Sequence, residues 1–299
     1  MSRIFATLIT PAELTALQRQ PAVRLMVFDC SFDLADAASG EAQYRHAHIP
    51  GAVYAHLDRA LSDEGLVDPE GHRQPHPDAA SGGRHPLPSR EKFAMWLSSV
   101  GFANDMQAVV YDRQGSAFCG RLWWMLKWMG HEAATVLDGG LQAWQAEGGA
   151  VRGGDEPLHF QSNFAPGKPL RRLVTGNEVQ ASLSQPGQTL IDARGAPRFR
   201  GEVEPLDPVA GHIPGALNRP FVENFSPDGR FKPAEQLRAE FAAVLAGREP
   251  ATVVHHCGSG VSAVPNLIAM ELAGLGPTGL YAGSWSEWCR DPQHPVDKG

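Results

Sequence analysis

The chain has 299 residues, 42% of them hydrophobic and 20% charged, with a formal net charge of −7, and that is apolar material enough for roughly two domains of ordinary size. The acidic balance excludes a general nucleic-acid surface, which needs concentrated Lys and Arg, but leaves room for a local positive pocket that takes a small anion. The apolar N-terminal stretch is too short for a secretion signal, and no run approaches the ~18 apolar residues of a membrane span, so a cytoplasmic protein with no membrane contact is expected.

In chain order, Arg24–Phe28 reads as a strand, Arg90–Val100 as a helix, Ala108–Tyr111 as a strand, Gly120–Met129 as a helix and Ala134–Leu137 as a strand. The second half repeats the alternation with Thr189–Ile191, Ala234–Leu245, Ala251–Val254, Val264–Ala273 and Gly279–Tyr281. Short apolar runs alternating with amphipathic stretches indicate an α/β fold with mostly parallel sheets flanked by helices. Gly148–Lys168, rich in Gly, Pro and charge, reads as a linker. The expected division is 1–150, a linker over 151–170, and 171–299.

Motifs repeat as well as elements. His48-Ile-Pro-Gly-Ala52 recurs 164 residues later as His212-Ile-Pro-Gly-Ala216, and Val27-Phe28-Asp29 resembles Leu190-Ile191-Asp192. Val109-Val110 matches Val253-Val254 at an offset of 144, as does the segment ending in Trp144 with the one ending in Trp288. The shorter offset leaves about 20 extra residues in the first half, visible as the Gly-, Pro- and His-rich stretch Ser62–Pro88. A loop of that length in a compact domain is often functional. The chain is a tandem duplication, and features found in both copies belong to the scaffold: His48 and His212 as turn holders, Asp29 and Asp192 at strand ends, Trp144 and Trp288 as core anchors.

One loop differs between the copies. The second copy has His255-His-Cys257-Gly-Ser-Gly-Val-Ser-Ala263 between a strand and a helix; the first has Tyr111-Asp-Arg113-Gln-Gly-Ser-Ala-Phe-Cys119. Ungapped, Cys257 falls opposite Arg113, so the first copy lacks the thiol and reads as catalytically empty. Backbone N–H groups of a strand-to-helix loop, with the helix N-terminus behind them, favour the reactive thiolate. The other cysteines, Cys30, Cys119 and Cys289, form no C-x-x-C pair or disulfide framework and read as buried side chains. A Cys-x5-Arg phosphatase loop is excluded, because residue 263 is Ala and the loop holds no Arg or Lys. A metal site from His255, His256 and Cys257 is disfavoured, because successive strand residues face opposite ways.

These residues resemble the tandem-domain rhodanese family of sulfurtransferases over essentially the whole chain. The likeness rests on the doubled His-Ile-Pro-Gly-Ala, Tyr111-Asp112, Asp192-Ala-Arg194, Arg198-Phe-Arg-Gly201 and Cys257-Gly-Ser-Gly-Val-Ser-Ala263. It implies two rhodanese-like domains, the N-terminal one inactive and the C-terminal one catalytic. It further implies a transferase that carries sulfur as a Cys257 persulfide, from a small anionic donor to a thiol such as thioredoxin or a small thiol, or to cyanide. No cofactor and no metal are required. Gly258, Gly260, Val261, Ser262 and Ala263 line the loop. Gly258-Ser259, where the thiosulfate-preferring branch has Arg and Lys, resembles the 3-mercaptopyruvate branch, and Arg198 matches a substrate-binding arginine of that branch. The second arginine that the family carries before His-Ile-Pro-Gly is missing from 202–211, which leaves Arg194 or Arg200 to supply it. Asp58, His85 and Ser259 match an Asp-His-Ser relay. Thiosulfate:cyanide sulfur transfer and a non-enzymatic persulfide carrier or sensor are the alternatives.

Overall fold

The computed structural model describes residues 4–67, 73–183 and 185–299. In chain order the elements are β1 (Leu8–Ile9), α1 (Pro11–Gln18), β2 (Leu25–Asp29), α2 (Ser39–His46), β3 (Val53–Tyr54), α3 (Leu57–Ala60), β4 (Glu64–Val67), β5 (Arg73–Pro75), α4 (Arg90–Ser99), β6 (Gln107–Tyr111), α5 (Cys119–Trp128), β7 (Ala134–Leu137) and α6 (Gly140–Ala146). They continue with β8 (Arg172–Val174), α7 (Gly176–Ala181), β9 (Thr189–Asp192), α8 (Ala196–Phe199), β10 (Leu217–Asn218), α9 (Ala234–Leu245), β11 (Val253–His256), α10 (Val264–Leu272), β12 (Gly279–Tyr281) and α11 (Ser284–Trp288).

Two compact units result. The first holds residues 4–61, Ser89–Leu170 and the short hairpin Phe225–Phe231; the second holds the described part of 62–88 and the rest of the chain from Arg171. Each is built on a five-stranded parallel sheet, ordered β1-β7-β6-β2-β3 in the first and β8-β12-β11-β9-β10 in the second. The order is the same position for position, which is the duplication in three dimensions. The central strands β2, β6, β9 and β11 are buried on both faces, as parallel strands under helices must be, and their Val, Ile and Leu runs reflect it.

The shared motifs are scaffold. His48 hydrogen-bonds the Tyr44 carbonyl through Nδ1 (2.7 Å) and Glu156 through Nε2 (3.0 Å), while His212 Nδ1 lies 2.8 Å from the Phe199 carbonyl with its ring stacked on Phe199. Trp144 and Trp288 are buried, and their indole N–H groups donate to Ala150 O and Pro295 O. The 148–168 stretch is extended and joined to the first unit: Arg152 bridges to His48, and Phe164 is buried.

Two features differ from the sequence expectation. Ala251 and Thr252 lie in a 3-10 turn that starts at Pro250, and the strand runs on through His255 and His256, both fully buried. Ser62–Pro88 contains a short antiparallel ribbon, β4 with β5, and its hydrogen bonds place it in the second unit rather than with the first half of the chain. Residues 68–72, within that insertion, lie outside the described residues.

Candidate active site

Cys257 follows β11 directly and is 1% exposed. Its backbone is fixed from α11: Cys257 N–H donates to Ser284 Oγ (3.1 Å), whose hydroxyl donates to Tyr281 O, and the Trp285 and Ser286 N–H groups donate to the carbonyls of Cys257 and Gly258 (3.0 and 2.8 Å). Gly260 turns the loop with φ +71°, and a Cβ there would stand 2.1 Å from Ala282 O, so only glycine fits. The loop then enters α10, with Val261 and Ala263 buried, Ser262 half-buried and Pro265 in the first helical turn.

His85 Nδ1 lies 2.8 Å from Ser259 Oγ, two residues past the thiol. The insertion reaches this place because Arg84 N–H donates to Ser286 Oγ (3.0 Å) and Asp63 N–H to Pro86 O (2.8 Å). Asp58 belongs to the first unit, in the single turn of α3, where its N–H donates to His56 Nδ1 (3.1 Å).

Two guanidinium groups stand at the loop. A Cβ on Gly258 would lie 3.1 Å from Arg84 Nη2 and 3.5 Å from Arg198 Nη1. Arg198 is held by Glu204 (2.6 Å) and Asp207 (3.4 Å), and Arg84 by the other oxygen of Asp207. Sequence reasoning missed Arg84; its one local signal is adjacency to His85. Arg194, by contrast, is 3% exposed, bound to Asp192 and Gly211 O, with its guanidinium 4.9 Å over Trp285. Its pKa is raised despite burial, chiefly by the Asp192 carboxylate, with smaller contributions from Glu204 and from Cys257. Arg200 is paired with Glu202 at the surface (2.7 Å).

The histidines before the thiol are packed groups. His255 Nε2 sits 3.2 Å from Met270 Sδ, and burial depresses its pKa to about 3. His256 Nδ1 is 4.0 Å from Asp192 Oδ2, and its pKa is also lowered, first by burial. Among the described residues no cluster of three His, Cys, Asp or Glu side chains could hold a metal, and no helix is long and apolar enough to cross a membrane.

The first unit carries the same loop in a different state. Strand register pairs Asp29 with Tyr111 and Asp192 with His256, so the structural counterpart of Cys257 is Asp112, not Arg113. Leu141 N–H donates to Asp112 O just as Trp285 N–H donates to Cys257 O, and Gly115 (φ +66°) matches Gly260. The Asp112 carboxylate accepts four backbone N–H bonds, from Gln114, Ser116, Phe118 and Cys119, each 2.9 Å. Arg113 turns away to Asp29 (2.9 Å), Ser31 and the Ala47 carbonyl.

Comparison with known proteins agrees with this architecture. The probable 3-mercaptopyruvate sulfurtransferase of Pseudomonas aeruginosa is 45% identical over 298 residues, covering 98% of this chain and 99% of its own. The putative thiosulfate sulfurtransferase SseB of Mycobacterium tuberculosis is 36% identical, covering 98% and 97%. The solved 3-mercaptopyruvate sulfurtransferase of Leishmania major superposes with a TM-score of 0.75 at 30% identity, over 95% of this chain and 74% of that one. The rhodanese-like domain description matches residues 10–147 and 175–291, which hold four of the five strands of each sheet, and the chain belongs to the rhodanese-like domain family as a tandem of two copies.

Proposed function

We propose that this rhodanese-family sulfurtransferase takes the sulfur of 3-mercaptopyruvate onto Cys257 and passes it to a thiol or to cyanide. The observation that carries the reading is the pair Arg84 and Arg198 at Gly258, beside a loop that holds one thiol and the His85–Ser259 hydrogen bond. A planar carboxylate is the natural partner of two guanidinium groups. Arg84 takes the part of the second arginine absent from 202–211. Arg194, held by Asp192, and Arg200, held by Glu202, are both otherwise engaged.

With the donor carboxylate at the two arginines, the Cys257 thiolate attacks the donor sulfur. The carbon–sulfur bond breaks, its electron pair passes to the CH2 carbon, and the resulting enolate of pyruvate takes a proton; Cys257 is left as a hydropersulfide. Ser259 hydrogen-bonds the donor keto oxygen, and His85 orients Ser259 and relays the proton. An acceptor thiolate or cyanide then attacks the outer sulfur and releases the Cys257 thiolate. No other redox partner or cofactor enters.

The twin loop supports an anion cradle. Where the first unit wraps backbone N–H groups around the Asp112 carboxylate, the amides of Ser259 and Val261 hold the corresponding places around the sulfur anion. The first domain is inert because its cradle is filled by its own side chain. The site acts inside the cell on small molecules, and 171–224 and 232–299 with the 62–88 insertion form the catalytic domain. The testing experiment compares kcat/KM for mercaptopyruvate and thiosulfate with the same acceptor. Preference for thiosulfate overturns the donor assignment, and transfer from neither overturns the reading.

A further inference from the structure

Behind the loop runs an unbroken chain of alternating charges, all within the second unit. Asp192 binds Arg194 (2.6 Å), Arg194 binds Glu204 (3.3 Å), Glu204 binds Arg198 (2.6 Å), Arg198 binds Asp207 (3.4 Å), and Asp207 binds Arg84. Three guanidinium groups face three carboxylates. The burial is graded: the Glu204 and Asp207 side chains are 2% and 1% exposed, whereas those of Arg84 and Arg198 are both 21% exposed. The arginines therefore present N–H groups toward Gly258 while the carboxylates stand behind them, out of water. The backbone N–H groups of Leu206 and Asp207 donate to Glu204 (3.1 and 3.2 Å), fixing the segment that carries both acids.

We propose that Asp207 sets the charge selectivity of the donor site. Together with Glu204, Asp207 offsets the charge of the two guanidinium groups it bridges and leaves a site rich in directed hydrogen-bond donors but close to zero in net charge. Such a site accepts a monoanionic carboxylate and gives little Coulomb stabilisation to the second charge of a dianion. Asp207 is a positioning residue here: its carboxylate acts through Arg84 and Arg198 and touches no reacting atom. The inference rests on the reading of Cys257 as the sulfur acceptor and of Arg84 and Arg198 as the donor's anchors.

Removing one buried charge a few ångströms from an anion is a large perturbation in a medium of intermediate dielectric. In Asp207→Asn, kcat/KM for thiosulfate is expected to rise about tenfold or more relative to that for mercaptopyruvate. Sulfate, used as an unreactive dianion, is expected to bind the variant about tenfold tighter in a calorimetric titration. Asp207→Glu, which keeps the charge, is expected to restore the wild-type donor ratio. Glu204→Gln removes the other carboxylate behind Arg198 and is expected to shift the ratio the same way, so the test survives if Asp207→Asn does not fold. A folded Asp207→Asn that transfers sulfur with an unchanged donor ratio and unchanged sulfate affinity overturns the proposal while leaving sulfur transfer intact. Wild-type protein that uses neither donor overturns the functional reading instead, and the sulfate titration then decides the charge argument alone.

Discussion

Asp112 follows β6 at the place where Cys257 follows β11, one residue beyond the Asp29–Tyr111 pair in one sheet and the Asp192–His256 pair in the other. One side chain is a carboxylate gripped by four amides, the other a thiol in a loop of the same turn geometry. The fold thus uses one loop geometry twice, once closed on its own carboxylate and once around a buried thiol.

Asp112→Ala is expected to destabilise the protein by about 3 kcal/mol or more, because the substitution leaves buried amides without an acceptor. The burial of Asp112 raises its pKa, so the charge is tolerated only through those four bonds. Urea denaturation measures the loss. Sulfur transfer per folded molecule is expected to stay at the wild-type level, and a collapse of transfer without loss of stability would show that the first loop takes part in the chemistry.

Cys257→Ser is expected to abolish both persulfide formation and transfer, read by mass spectrometry after donor treatment. Among the four cysteines, Cys30 and Cys119 have pKa values pushed well up, mainly by burial, and Cys289 is pushed up to about 11. Persistence of a donor-dependent sulfur adduct in Cys257→Ser would move the chemistry to one of those three.

Arg84→Ala and Arg198→Ala are each expected to raise KM for mercaptopyruvate about tenfold to a hundredfold, since a charge-assisted hydrogen bond to a carboxylate contributes roughly 1.5–3 kcal/mol. Steady-state kinetics checks this. If Arg84→Ala leaves KM unchanged, the second anchor lies elsewhere.

His85→Ala and Ser259→Ala are expected to lower kcat with mercaptopyruvate by about a hundredfold, the usual scale for losing a positioned proton-transfer group. With thiosulfate the loss is expected to be small, because its leaving group, sulfite, departs with the electron pair and needs no proton. Equal losses with both donors would assign His85 and Ser259 to loop architecture rather than to proton transfer.

Much of this was readable from local pattern. Ala134–Leu137, Ala234–Leu245 and Gly279–Tyr281 carry enough periodicity to place β7, α9 and β12 at their observed ends. Strand β11 was set two residues early because two histidines look polar; their full burial against Met270 and Asp192 is a tertiary fact. Counting from the Val-Val pairs puts the counterpart of Cys257 one residue late, because the strand register matches Val109 with Val254 and Val110 with His255, an offset of 145 rather than 144. Arg84 was invisible for a different reason. Its partner Asp207 is 123 residues away, and no local rule brings an insertion in the first half of the chain to a loop in the second.

The buried His255 makes stability depend on pH in a predictable direction. Its folded-state pKa is lowered to about 3, first by burial and then by His256 and Arg219, whereas an unfolded histidine titrates near its ordinary value of about 6.5. Above that ordinary value both states are neutral and the full stability is present. As pH falls through 6.5 toward 3 the unfolded chain takes up a proton that the folded chain refuses, and stability is lost at about 1.4 kcal/mol per pH unit. His256, also lowered by burial, adds to the same slope. Urea unfolding of wild type and His255→Leu at pH values from 7 to 4 measures this, with the variant expected to show about one proton less uptake per molecule unfolded. A variant with the wild-type slope would mean that His255 charges freely in the folded state, and the strand would then have to open around it.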